Sequence, residues 1–159
     1  MSTLLDLLHR NARLSLEELA DQLSSTPQEV AAQIAILEKD GTIRGYQTMI
    51  DPAQLNADRV TAFIEVRLTP ERGGGFDRLA RRIGRFEQVT SCYLISGGYD
   101  LVVLVEGDNL LDVANFVAQQ LSTLDGVVSC STHFRLKCYK ENGFFFGGND
   151  DPERLPVSP

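Results

Sequence analysis

At Val60 the spacing of apolar residues changes from that of a helix to that of a strand, and this change divides the chain into two differently folded parts. Downstream, Val60, Ala62, Ile64, Val66 and Leu68 alternate with Thr61, Phe63, Glu65 and Arg67, so a strand with one apolar face is expected. Gly73-Gly74-Gly75 breaks it, and Phe76, Leu79, Ala80, Ile83 and Phe86 then recur at helical spacing among arginines. Residues 88–96 and 99–106 read as two further strands joined by a tight turn at Gly97-Gly98. Leu110, Val113, Ala114, Val117, Ala118 and Leu121 predict a second amphipathic helix, with Asp108 suited to cap it.

A last strand follows Gly126, with Val128, Cys130, Thr132, Phe134, Leu136 and Cys138 on one face and Ser129, Ser131, His133, Arg135, Lys137 and Tyr139 on the other. Strand, helix, strand, strand, helix, strand is the ferredoxin-like βαββαβ order, with both helices on one face of an antiparallel sheet. The other face, partly apolar around Phe63, is too extensive to leave in water, and sheet-to-sheet homodimerisation is expected.

Upstream of Val60 the signals are helical. Leu4, Leu5 and Leu8 predict a short first helix that stops at Asn11-Ala12-Arg13. Ser15 stands three residues before Glu18, a capping box that starts a second helix over 16–23 burying Leu16, Leu19, Ala20 and Leu23. After Ser24-Ser25, the run Thr26-Pro27-Gln28-Glu29 repeats the device with proline where its missing N–H costs nothing. Val30, Ile34 and Leu37 then define a third helix, stopped by Gly41. Two such helices across a short polar turn make a helix-turn-helix, and Thr42–Ile50 alternates like the hairpin of a wing. The expected organisation is therefore α+β: a winged helix-turn-helix over 1–52, a linker over 53–58, a ferredoxin-like domain over 59–140, and a tail over 141–159, mobile beyond Phe144-Phe145-Phe146.

Composition sets further limits. At 159 residues each part has a thin core, which favours association. No stretch approaches the length of a membrane span and no leader pattern opens the chain, so a cytoplasmic protein without membrane contact is expected. Cys92, Cys130 and Cys138 form no CxxC pair, and buried free thiols are expected rather than a disulfide framework or a zinc site. His9 and His133 lie on different domains without a partnered nucleophile, so no catalytic residues and no cofactor are expected.

Two sets of motifs in the right order carry a resemblance. Asn11-Ala12-Arg13-x-Ser15-x-x-Glu18-Leu19-Ala20 with Val30-x-x-x-Ile34-x-x-Leu37-Glu38-x-x-Gly41-x-Ile43-x-Gly45-Tyr46, and then Ser96-Gly97-Gly98-Tyr99-Asp100, resemble the Lrp/AsnC (feast/famine) transcriptional regulators over about residues 2–140. The resemblance implies a regulator that dimerises, often builds octamers, binds promoter DNA and senses an amino acid or related metabolite between subunits. Relatives that decarboxylate siroheme share the architecture, but they use histidines without a match here.

On that reading the double-stranded DNA contacts are Arg13, Ser25, Thr26, Gln28, Ala31, Gln33, Lys39 and Arg44. Gln28 and Gln33 suit adenine edges, Ala31 or Ala35 a thymine methyl, and Arg13, Lys39 and Arg44 phosphates. The effector site is Ser96, Gly97, Gly98, Tyr99 and Asp100, where glycine amides hold a carboxylate and Asp100 meets an α-amino group, together with Thr132 and with Cys130 where a second threonine is common. A bland alternative is that Gly97-Gly98 serve only the turn.

Charge opens a second reading of the N-terminal half. The whole chain carries −7, and residues 1–57 hold four basic against eight acidic residues, a balance of −4. Phosphate neutralisation supplies most non-specific DNA affinity, so a ligand-binding oligomer whose helix-turn-helix contacts protein stands beside the DNA-binding regulator.

Overall fold

The computed structural model describes residues 3–51, 54, 59–70 and 75–146, which form two compact units divided at Met49/Ile50. The expected linker apart from Gln54, the Gly73-Gly74 break and the tail beyond Phe146 lie outside the described residues.

In the first unit, α1 (Leu4–Arg10), α2 (Leu16–Leu23) and α3 (Pro27–Lys39) each begin with a complete capping box: Thr3 with Asp6, Ser15 with Glu18, and Thr26 with Glu29. Leu4, Leu7, Leu19, Ala20 and Val30 form the core, flanked by half-buried Leu8, Leu14, Leu23, Ile34 and Leu37. Leu5 and Leu16, expected inside, are exposed, and Leu7 takes the core place on α1. The α2–α3 turn is tight because Ser24 adopts the left-handed conformation (φ 51°, ψ 47°) and Ser25 N–H returns to Ala20 O at 3.0 Å.

The wing hairpin is not formed, since residues 42–50 contain no strand. Its first arm is occupied in stopping α3: Thr42 N–H binds Asp40 Oδ1 at 2.8 Å and Ile43 N–H binds Leu37 O at 2.9 Å. Tyr46 Oη then donates to Glu38 Oε1 at 2.9 Å, so the segment follows α3 rather than pairing with itself. A lone short two-stranded hairpin would be marginal in any case.

In the second unit, β1 (Val60–Leu68), β2 (Val89–Leu94), β3 (Leu101–Gly107) and β4 (Val127–Phe134) form one antiparallel sheet in the order β2-β3-β1-β4, the ferredoxin-like arrangement. Helices α4 (Asp77–Ile83) and α5 (Leu110–Phe116) supply Leu79, Ile83, Val113 and Phe116 to the same core as Ala62, Ile64 and Val66 of β1 and Leu101, Val103 and Val105 of β3. Each fully buried aliphatic side chain there contributes about 1.5–3 kcal/mol.

Three local expectations shift. The cap of α5 is Asn109, not Asp108: Asn109 Oδ1 accepts Asp112 N–H at 3.0 Å. The helix then passes into a π-helical turn (Val117–Leu121), which carries burial from Phe116 to Leu121 over five residues and leaves Ala114, Ala118 and Leu110 exposed. A bulge opposite Arg67/Leu68 pairs Val127 with Leu68, so Val127 packs on the core and Val128 is exposed. The strand ends at Phe134, and Leu136 stands almost fully in solvent.

Beyond it, Lys140–Glu141 (β5) and Phe144–Phe145 (β6) pair across Asn142-Gly143, whose φ values of 47° and 88° are those of a primed hairpin turn. Phe146 N–H closes the hairpin on Tyr139 O at 2.8 Å.

Candidate DNA-reading and effector-binding sites

At the entry to α3, Glu29 gathers the polar groups of the turn. Ser25 Oγ donates to Glu29 Oε2 at 2.7 Å, Thr26 N–H and Thr26 Oγ1 reach the same oxygen at 3.0 Å, and Glu29 N–H donates to Thr26 Oγ1 at 3.3 Å. These bonds, that from Ser25 first, hold the Glu29 carboxyl below its usual range. Ser25 and Thr26 are thus occupied in capping, and a carboxylate sits where the helix dipole would otherwise favour a phosphate.

Gln28 and Gln33 are exposed on α3, Ala31 is half-buried, and Ala32, Ala35 and Ile36 add exposed apolar surface. Lys39 ends the helix, about 16 Å along the axis from Gln28. Arg44 folds its guanidinium over Gly41, and Arg13 lies exposed in the α1–α2 turn, where its amide donates to Asn11 Oδ1 at 3.0 Å.

On the sheet, the β2–β3 connection is longer than a two-residue turn. Ile95 N–H binds Asp100 O at 2.9 Å, leaving Ser96, Gly97, Gly98 and Tyr99 as the loop. Gly97 has φ +136°, which favours glycine, and a side chain at either Gly97 or Gly98 would meet nothing within 4 Å. The loop is tied to β1 rather than to β2. Asp100 N–H donates to Val66 O at 3.0 Å, Asp100 Oδ2 accepts Leu68 N–H at 2.7 Å, and Arg67 Nε and Nη2 both donate to Gly98 O, at 3.2 and 2.6 Å. The same guanidinium lies 5.4 Å from the centre of the Tyr99 ring.

Arg67 was absent from the expected site. Its signal was available, since it is the basic residue on the outward face of an otherwise apolar and acidic strand.

Cys130 and Thr132 stand elsewhere. They pair with Val66 and Ile64 across β1, on the side that faces the helices. Burial pushes the Cys130 thiol up, partly offset by Ser122. One chain therefore gathers Ser96–Asp100 into a single loop but keeps Cys130 and Thr132 apart from it, with β1 between. All three cysteines are free and half-buried.

The outward face of the sheet holds a second cluster that the sequence reading missed. His133 Nε2 lies 3.2 Å from Ser131 Oγ and 3.2 Å from Glu65 Oε2. Serine and carboxylate meet the same ring nitrogen, so the acid does not orient the imidazole through its other nitrogen as a serine hydrolase requires. Beside them a groove of ≈830 Å³ is lined by Phe63, Val102, Phe134, Leu136 and Tyr139, among others. Among the described residues no group of three or more side chains is arranged to hold a metal, and no helix is long and apolar enough to cross a membrane.

Residues 3–44 match the winged helix-turn-helix DNA-binding family, and residues 61–144 match the Lrp/AsnC ligand binding domain. The chain belongs to the Lrp/AsnC family of transcriptional regulators. It is 47% identical over 157 residues, 98% of this chain and 95% of the relative, to the uncharacterized HTH-type transcriptional regulator YugG of Bacillus subtilis. The proline dehydrogenase transcriptional activator of Rhodobacter capsulatus is 30% identical over 131 residues, 82% of this chain and 84% of that one. A transcriptional regulator of Neisseria meningitidis solved in complex with L-Met superposes with a TM-score of 0.66 at 25% identity, covering 87% of this chain and 88% of the other.

Proposed function

We propose that this regulator reads duplex promoter DNA with α2 and α3 in the cytoplasm, and that an amino-acid-like effector seated on the Ser96–Asp100 loop, between copies of the chain, biases its assembly. The loop carries the proposal: two glycines with open space above them, on a hairpin anchored by Arg67 and Asp100, offer a rigid backbone surface for a carboxylate. The L-Met complex of the Neisseria regulator supports an amino acid as the effector class. Copies pair through the outward sheet face around Phe63 and Val102, and an effector shared between such pairs acts by favouring one assembly, dimer or octamer, over the other.

A second reading has its own observation: exposed Ile36 beside exposed Ala32 and Ala35, in an acidic unit, suits a protein surface better than a phosphate backbone.

Selection of bound fragments from genomic DNA at two salt concentrations, with and without L-methionine and L-proline, tests both. Enriched sequence, affinity that falls steeply with salt and a shift on adding an amino acid are expected. No retention at low salt overturns DNA reading in favour of the protein-contacting alternative. In parallel, Gly98→Ala, which meets no neighbouring atom, leaves thermal stability unchanged but abolishes the effector shift by blocking backbone approach.

A further inference from the structure

The chain is acidic, yet its positive charge is concentrated at one place outside the helix-turn-helix. Residues 77–86 hold Arg78, Arg81, Arg82 and Arg85 against Asp77, a net +3 within ten positions of a chain whose total is −7. Leu79 and Ile83 turn the other side of α4 into the core, and all four arginines are exposed. Among the described residues Arg81 is held by a surface pair with Asp77 at 3.8 Å, with both side chains more than 70% exposed, an interaction too weak to keep it from another anion. Arg82 and Arg85 have no acidic partner among the described residues.

Next to this helix the structure has a groove of ≈470 Å³ between α4 and β2, an edge strand of the sheet. Its rim is Arg81, Arg85, Thr90 and Ser91, cations and hydroxyls on either side of a small-residue floor at Ala80 and Gly84. Thr90 Oγ1 reaches Leu104 O only at 3.4 Å and Arg81 pairs with Asp77 only at 3.8 Å, so the rim offers weakly held donors, and guanidinium groups beside hydroxyls are the chemistry that holds phosphate oxygens.

We infer that α4 and the adjoining β2 edge form a second, sequence-independent contact surface for the sugar-phosphate backbone of duplex DNA. The inference rests on the DNA-binding reading above. The charge balance selects this occupant: residues 1–57 bring four basic residues against eight acidic ones, so a duplex held by them alone would release few counterions. Arg81 and Arg82 of α4, with Arg85 just beyond it, supply the missing neutralisation. A helix of seven residues needs one or two cations near its last turn to complement its dipole, and Arg81 and Arg82 already supply them, so Arg85 just beyond it is not explained by the dipole.

The test uses the full chain and a mixed-sequence duplex, with affinity measured across a salt series. Wild type, Arg82→Gln/Arg85→Gln and Arg82→Lys/Arg85→Lys are compared, and assembly is followed by light scattering. The glutamine variant is expected to assemble normally, to bind all sequences more weakly, and to show a log–log salt slope shallower by about 1 to 2, since each phosphate contact contributes about 0.9. The lysine variant keeps the wild-type slope. An unchanged slope with intact assembly overturns the inference while leaving DNA reading in place. Loss of assembly in the glutamine variant overturns it in favour of a protein interface on α4. Failure of the wild type to bind any duplex overturns both this inference and the reading beneath it.

Discussion

Oδ2 of Asp100 accepts the amide of Leu68 at 2.7 Å across 32 residues of chain, while Asp100 N–H returns to Val66 O. One residue thus fixes the mouth of the β2–β3 hairpin to the end of β1, and its carboxylate holds fold and candidate site together. Asp100→Ala strands a half-buried N–H and is expected to destabilise the second unit by about 1–3 kcal/mol. Asp100→Asn keeps an acceptor and is expected to lose less than half of that, while losing the charge that would meet an α-amino group. Denaturant midpoints check the first statement, and amino-acid titration of the Asn variant checks the second. Equal destabilisation by both variants would show that the charge, not the acceptor, secures the loop.

The cap of α3 depends on pH in a defined direction. Bonds from Ser25 and Thr26 hold Glu29 below its ordinary 4.5, so the folded state favours the ionised form. A depressed carboxylate contributes stability that is present above its unfolded value and is lost as pH falls through the folded one. The first turn of α3 is therefore expected to loosen below the ordinary carboxylate range, and Glu29→Gln to remove that pH dependence. Amide exchange at Glu29 and Val30 over an acid titration measures it. An exchange profile that stays flat in the wild type down to full carboxyl protonation would rule it out.

Phe116 sits fully inside the second unit, its ring edge-on to Phe86 at 5.3 Å and 80°. Phe116→Ala removes that contact at the junction of α5 and the π-helical turn, where the chain cannot close the gap without rewinding the turn. A loss of about 3–5 kcal/mol is expected. Denaturation followed separately by amide signals of the two units should show it confined to residues beyond Ile50.

On the proposed reading of DNA by α3, base and phosphate roles separate by salt. Gln28→Ala and Gln33→Ala are expected to reduce discrimination between operator and mixed sequence, by about 1–3 kcal/mol where a bidentate adenine contact is lost, with the salt slope unchanged. Lys39→Gln and Arg44→Gln are expected to flatten that slope by about 0.9 each and to leave discrimination intact. Glutamine variants that bind every sequence as the wild type does would remove α3 from base reading.

How much was legible follows from the range of the interactions. The three helices of the first unit, their order and two of their three capping boxes could be read because a cap is made between residues three apart. The succession of strands and helices along the chain and the inward set Ala62, Ile64, Val66 and Leu68 could be read because period and alternation are properties of neighbours. Asn142-Gly143 was equally local, a strong hairpin signal, and was overlooked beside the aromatic triplet that follows it.

What only the tertiary structure decided is the company each side chain keeps. Arg67 on Gly98, 31 residues away, and His133 on Glu65, 68 away, depend on which strands adjoin and in what register. The π-helical turn that selects Phe116 and Leu121, and the bulge that turns Val128 outward, are small adjustments made to fill one core. The change from helical to strand period at Val60, where β1 begins, came from the sequence alone, because period is a local quantity. The placing of Asp100 and Arg67 around the Gly97-Gly98 loop did not, because it follows from antiparallel pairing of segments that are distant in the chain and meet only when the sheet closes.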